Sequence, residues 1–201
     1  MFTSKKHQWN TLFIILTAFL MITVSCSEDS TSANGDGETG DNEDTEETVE
    51  IDLSNISEGE ALVEVADDTS YTWQGTASWD DGGRFNNRGT TYSEWIVTVT
   101  GENGEELSLN IVEPEESSSM NGPDDGTYEV GAGQTQNSLR LDTGVDVYLS
   151  ENSTEGSFTV TQASDGSVLE IELEANGLEI GGIGSQDRFV DITAAIKATA
   201  E

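Results

Sequence analysis

The sequence predicts an all-β domain over residues 51–201: an antiparallel β-sandwich or flattened barrel of about nine to ten short strands. Three observations support this prediction. Apolar residues alternate with polar ones over many short segments, turn residues such as glycine and asparagine separate the segments, and almost every segment has one apolar face. One-sided alternation is typical of antiparallel sheets that have one face in water.

The clearest strand signal is Ser70–Trp79, where aromatic and small residues alternate with threonine, glutamine and serine. Asp80-Asp81-Gly82-Gly83 is predicted to be a turn or loop after it. Thr91–Thr100 and Leu107–Val112 are predicted to form a hairpin, because an Asn-Gly step separates two alternating segments. Pro114–Gly126 contains both prolines of the chain and is predicted to be a loop.

In the second half, Val168–Ala175 places glutamates on one face, and Asn176-Gly177 is predicted to turn the chain. Phe189–Ala198 closes the domain as a strand, with a helix as the alternative because the segment is rich in alanine. The other predicted strands are Ala61–Ala66, Thr127–Gly131, one marked by Leu139 and Leu141, one marked by Val145, Val147 and Leu149, and one that starts at Phe158 and Val160.

Residues 1–25 have the pattern of an export signal. Lys5, Lys6 and His7 form a basic start, and the apolar run Leu12–Val24 follows. As a helix this run would span about 20 Å, which is shorter than the roughly 30 Å hydrocarbon core of a membrane. A signal peptide is therefore favoured over a membrane span.

The apolar run leads to the only cysteine of the chain, Cys26. The four residues Thr23-Val24-Ser25-Cys26 resemble the lipobox of bacterial lipoproteins, although Thr23 stands where an aliphatic residue is usual. The resemblance implies that Cys26 is acylated and becomes the mature N-terminus; the alternative is a secretory signal followed by a free thiol. Ser27-Glu28-Asp29 resembles a sorting signal of Bacteroidota lipoproteins, which implies lipid anchoring at the cell outer membrane and allows exposure at the cell surface.

Residues 26–50 are predicted to be the lipidated cysteine and a disordered acidic tether. Segment 27–50 has ten acidic residues, no basic residue, and one valine and one alanine as its only hydrophobic residues. Low hydrophobicity with high charge cannot offset chain entropy, and like charges extend the segment. We expect the tether to hold the domain away from the membrane.

The whole chain is strongly acidic, with 40 acidic residues, 7 basic residues and a formal net charge of −33. Nucleic acid is excluded as a partner, because its affinity for proteins comes largely from lysine and arginine side chains. Solubility, with adaptation to high salt as a variant of the same explanation, accounts for the charge; divalent-cation binding is the alternative.

Missing residue types restrict the chemistry. After residue 25 the sequence has no histidine, and Cys26 is its only cysteine, so a Ser-His-Asp or Cys-His nucleophile and a His/Cys zinc site are excluded. We therefore predict no catalysis and no cofactor.

Calcium could bind at Asp80-Asp81 or Asp124-Asp125, although Asp-Asp-Gly is also ordinary turn chemistry. A carboxylate-pair glycosidase is a distant third function, because no spacing singles out a pair.

A carbohydrate-binding accessory module is the alternative function, based on the aromatic residues between Tyr71 and Trp95. Aromatic faces could stack on sugars while neighbouring polar groups, Asn86, Asn87 and Arg88 among them, hold hydroxyls; burial in the core is the favoured interpretation of the large residues. The candidate ligand-binding residues are Trp73, Trp79, Trp95, Asp80, Asp81 and Arg84.

Two segments, Gly126–Gly131 and Gly156–Thr161, resemble parts of small lipid-anchored β-domains of unknown function that are common in Bacteroidota. The resemblance implies fold and location and brings no defined activity. We expect a lipid-anchored, surface-presented β domain with a structural or interaction role, whose partner is a glycan or a protein.

Overall fold

The computed structural model describes residues 50–67, 70–115, 121–181 and 188–201. All of them belong to one compact unit, Glu46–Glu201. The predicted signal peptide, Cys26 and the tether up to residue 49 lie outside the described residues, as does most of the glycine-rich passage at Gly181–Gly184. These remain predictions.

The all-β prediction is confirmed, with ten strands and a single turn of 3₁₀ helix in the described residues. The 3₁₀ turn, Leu53–Asn55, is capped by the Asp52 carboxylate, which accepts a hydrogen bond from the Ser54 N–H at 2.6 Å. The strands are β1 (Glu60–Ala66), β2 (Ser70–Asn87), β3 (Thr90–Gly101), β4 (Glu106–Pro114), β5 (Gly126–Glu129), β6 (Ser138–Asp142), β7 (Val147–Leu149), β8 (Glu155–Gln162), β9 (Val168–Ile180) and β10 (Phe189–Ala200).

The ten strands form one mixed sheet that bends into a near-ring, in the order β1-β10-β2-β3-β4-β6-β7-β9-β8-β5. A further pairing of β10 with β9 joins the two halves of this order into the near-ring, and β1 also pairs with β2. Neighbouring named strands are antiparallel except β10 and β2, which pair in parallel at Thr199–Ser78 and Ala200–Trp79. The sheet is therefore mixed, where the sequence predicted antiparallel pairing throughout.

The predicted turn at Asp80–Gly83 is wrong, because β2 continues through it to Asn87. The strand instead contains a β-bulge between Asp81 and Gly83. The Asp80 carboxylate accepts a hydrogen bond from the Asp81 N–H, and the Asp81 carboxylate accepts one from the Gly83 N–H, each at 2.8 Å. Gly83 has φ +92°, which glycine tolerates best. The turn-forming residues Asp80–Gly83 therefore produce a local irregularity in β2 and do not end the strand.

The predicted turn at Asn176-Gly177 is wrong for a similar reason, since β9 continues to Ile180. Gly177 has φ +73°, and its N–H donates to the Asp191 carboxylate at 2.8 Å, where the register between β9 and β10 shifts. Val145 was predicted to lie in a strand, but its side chain is 89% exposed and β7 starts at Val147.

The inner face of the near-ring encloses one large hydrophobic cluster. It includes the inward residues of β3, β4, β9 and β10, which alternate with polar outward residues as the sequence predicts. A second, small cluster of Ile56, Leu62 and Ala195 covers the outer side of β1 and β10. The strand prediction for the last segment is confirmed, and its alanines fit because β10 is covered on both faces.

Replacing Ile196 in β10 by alanine is expected to lower the free energy of unfolding by about 2–5 kcal/mol, because the side chain is fully buried and its removal leaves a cavity. Val145→Ala is the control, and its effect should stay within about 0.5 kcal/mol because Val145 is exposed. Urea denaturation measures both values. Equal losses in the two variants would contradict the placement of β10 in the core.

Candidate functional site

A polar groove of about 620 Å³ lies on the outer face of β2, β3, β4 and β6. Its floor residues in β3, β4 and β6 alternate with the buried residues Trp95, Ile111 and Leu139, so they point away from the core. The lining residues are Phe85, Asn86, Glu94, Asn110, Val112, Gly133, Gln134, Gln136 and Ser138.

The bulge in β2 lies beside the groove residue Glu94. Across the sheet, Gly83 pairs with Glu94, which in turn pairs with Val112. Since glycine has no side chain, this row is empty on the β2 side, and nothing lies within 4 Å of where a Gly83 Cβ would be. The next row is filled by Phe85, Tyr92 and Pro114. A Cβ at Gly82 would lie 2.9 Å from the Glu94 Cγ, so the missing side chain at Gly82 gives the Glu94 side chain room to pack against β2.

The opposite wall of the groove is the segment from Gly131 to Asn137, which the Asn137 side chain fastens to the sheet. Its amide oxygen accepts a hydrogen bond from the Val112 N–H of β4, and its amide nitrogen donates to the Glu129 carbonyl of β5, each at 2.9 Å. One side chain therefore bridges β4 and β5. This connection positions Gln134 and Gln136 at the rim of the groove.

Phe85 forms the apolar end of the groove. Its ring stacks on Tyr92 with ring centroids 5.4 Å apart and planes 16° apart. Both side chains are half-buried, so the pair is held in place while part of it remains in contact with solvent.

Several polar side chains in the groove have no partner among the described residues. Glu94, Asn110, Gln134 and Gln136 form no side-chain hydrogen bond or ion pair there. Asn86 differs, because its amide oxygen accepts a hydrogen bond from the Gly89 N–H at 3.1 Å. Amides carry both donors and acceptors, so the groove can bind a ligand that offers both.

The six residues predicted from the sequence as ligand-binding are not gathered at this groove. Trp73, Trp79 and Trp95 are only 8%, 8% and 4% exposed and belong to the core cluster, so little of each ring is accessible to a ligand. Asp80 and Asp81 accept the hydrogen bonds of the bulge described above. Arg84 forms an exposed ion pair with Glu115, with 3.0 Å between Nη1 and Oε1.

A buried carboxyl group, Glu113, lies at the end of β4 and was missed by the sequence reasoning. The residue is 6% exposed, and its Oε1 accepts hydrogen bonds from the Tyr128 hydroxyl and, at 3.2 Å, from the Asp124 N–H. Its Oε2 has no hydrogen-bond partner among the residues that the structure describes. The alternation Leu107, Leu109, Ile111 places residue 113 on the inner face, so the pattern contained the signal.

Burial raises the pKa of Glu113, and the hydrogen bonds from Tyr128 and Asp124 only partly oppose that shift. Burial and the neighbouring Glu113 carboxylate also raise the pKa of the Tyr128 hydroxyl. The Tyr128 ring stacks on Phe158 with centroids 5.2 Å apart, which fixes the hydroxyl against the carboxyl. Together these groups form a fixed carboxyl–tyrosine contact at one end of the core.

The aspartates considered for calcium have roles within the protein itself. The Asp125 carboxylate accepts a hydrogen bond from the Gln162 N–H at 2.7 Å, and the Asp124 carbonyl oxygen lies 2.6 Å from the Tyr128 hydroxyl, which shares its single proton between this oxygen and Glu113. Within the described ranges, no three His, Cys, Asp or Glu side chains are grouped closely enough to hold a metal ion. No helix in that part of the chain is long and apolar enough to cross a membrane.

The chain matches no protein-family model, no curated protein and no solved structure.

Replacing Glu113 by glutamine is expected to stabilise the protein more at pH 7 than at pH 4. A raised pKa in the folded state means that folding favours the protonated carboxyl, so the contribution of Glu113 to stability is greatest at low pH and is lost as the pH rises through that pKa. Glutamine stays neutral at every pH. The measurement is the free energy of unfolding of variant and wild type at both pH values.

The control for this comparison is Glu172→Gln on the exposed face of β9. Because substitutions at exposed positions usually change the free energy of unfolding by no more than about 0.5 kcal/mol, the effect of this variant should stay within that range at both pH values. If Glu113→Gln behaved like Glu172→Gln, Glu113 would not be a buried acid with a raised pKa.

Proposed function

We propose that this protein is a lipid-anchored, surface-presented β domain that acts by binding a partner and not by catalysis. The observation that carries the proposal is the outer-face groove, where four polar side chains have no partner in the described structure. Unpaired polar groups converging on a concave surface are typical of a binding site. The paired strands β3 and β4 supply a firm base for it.

The anchor is supported by the sequence alone. The apolar run Leu12–Val24 ends two residues before Cys26, and the acidic tether follows directly. Several acyl chains on one cysteine, palmitate among them, would hold the chain firmly, because a single chain gives only marginal membrane binding. We place the protein at the cell outer membrane, with the domain presented by the tether.

The charge of the chain narrows the class of partner. Once residues 1–25, with Lys5 and Lys6, are removed, 40 acidic and 5 basic residues remain, a net charge of −35. Such a surface repels polyanions, which argues against nucleic acid and anionic lipid head groups. A neutral or cationic partner is favoured.

The anchor is tested by Cys26→Ala in cells of the native host. We expect the variant to move from the membrane fraction to the soluble fraction and to lose metabolic labelling by a palmitate analogue, because the acylated side chain is gone. Ser27→Ala is the matched control and should stay in the membrane fraction. Membrane retention of Cys26→Ala equal to that of the control would refute the anchor.

A further inference from the structure

We propose that the outer-face groove between Phe85 and the Gly131–Asn137 segment binds a neutral oligosaccharide. The inference rests on the interaction role proposed above and gives that role a ligand class. It places the site at residues other than the three tryptophans.

The charge of the lining argues against an anionic ligand. Glu94 is the only ionisable side chain among the nine described residues that line the groove. An anion would face this carboxylate with no cation in the lining to compensate it, and the acidic surface of the chain adds to the repulsion. A neutral ligand is repelled neither by the Glu94 carboxylate nor by the acidic surface of the chain.

The hydrogen-bonding groups match hydroxyls. Asn110, Gln134 and Gln136 each offer an amide oxygen and an amide NH₂ with no partner in the described structure, and Glu94 offers two acceptor oxygens. A sugar hydroxyl both donates and accepts, so neighbouring hydroxyls of one sugar can satisfy an amide and a carboxylate together. Asn110 lies on the floor and the two glutamines lie at the rim, so the ligand would be held from two sides.

The aromatic end supplies the apolar contact that a sugar ring needs. Phe85 lines the groove and is fixed by its stacking on Tyr92. The C–H face of a pyranose is apolar, and burying it against an aromatic ring removes both from water.

The backbone beneath the groove disfavours an extended peptide as the ligand. Peptides that add to a sheet need an open strand edge. Here β3 is paired with β2 and β4 along the groove. The pairing of β4 with β6 ends at Asn110–Ser138, and beyond it the Val112 N–H is bonded to the Asn137 side chain. The floor therefore recognises a ligand through side chains, and a peptide could add a strand only at the edge of β2 beyond Gly83, which pairs with β3 alone.

The test uses the full-length protein in a detergent without a sugar head group. The probes are an array of neutral oligosaccharides of three to eight units, the same lengths containing uronic acids or sulfates, and a peptide array. We expect binding to neutral oligosaccharides. Calorimetry on the best neutral probe should then show about tenfold weaker affinity for each of Asn110→Ala, Gln136→Ala and Phe85→Ala.

Matched controls lie outside the groove. Asn152→Ala removes an exposed amide, and Phe189→Ala removes a ring that is 47% exposed. Both should bind the probe with unchanged affinity. Thermal unfolding of every variant distinguishes a lost contact from a lost fold, and Gln136, at the exposed rim, gives a variant that should keep the stability of the wild type.

The proposal is overturned if no neutral probe binds, if only acidic probes or only peptides bind, or if the groove variants bind as tightly as the two controls. The array uses purified protein, so its result does not depend on the anchor. Correct fractionation of Cys26→Ala together with an empty sugar array would overturn the ligand class alone. Sugar binding by a protein that keeps its membrane retention without Cys26 would overturn the anchor alone.

Discussion

The closure of the sheet depends on β10, the last strand of the chain. It pairs with β9, with β1 at the start of the domain and, at its end, with β2. The contacts with β1 and β2 join residues far apart in sequence, so their formation costs loop-closure entropy. Burial of inward residues such as Ile192 and Ile196 compensates for that cost, because both side chains leave water completely or almost so.

The groove lies on the outer face of the sheet, opposite the core. With the core filled from the inner face, the outer faces of β3 and β4 can carry polar residues such as Glu94 and Asn110. The bulge in β2 leaves one row without a side chain, and Asn137 holds the opposite wall against the sheet. A binding surface can therefore be rigid before its ligand arrives, which reduces the entropy that binding costs.

Much of the fold follows from alternation in the sequence, because each of β3, β4, β9 and β10 has one apolar face and therefore one preferred orientation. Turn-forming residues were a poorer guide to where the strands end. Asp80–Gly83 and Asn176-Gly177 contain ordinary turn residues, but the register of the neighbouring strands made both into irregularities within a strand. That register depends on distant segments and cannot be obtained from four residues.

The candidate site could be predicted only in part, because it also depends on contacts between segments that are distant in sequence. Burial of the three tryptophans agrees with the core interpretation, and the inward position of Glu113 follows from the alternation of β4. The meeting of Phe85, Asn110 and Gln136 has no local signal, because it depends on the order β2-β3-β4-β6 and on the Asn137 bridge.

The role of β10 is tested most directly by amide hydrogen exchange, resolved by residue and measured in increasing sub-denaturing urea. If β10 closes the sheet, the protected amides of Ala194 and Ile196 should exchange only through global unfolding, with the same free energy and urea dependence as the protected amides of Val97 and Val99 in β3. Exchange of β10 through a lower-energy opening, while β3 stays protected, would contradict the account.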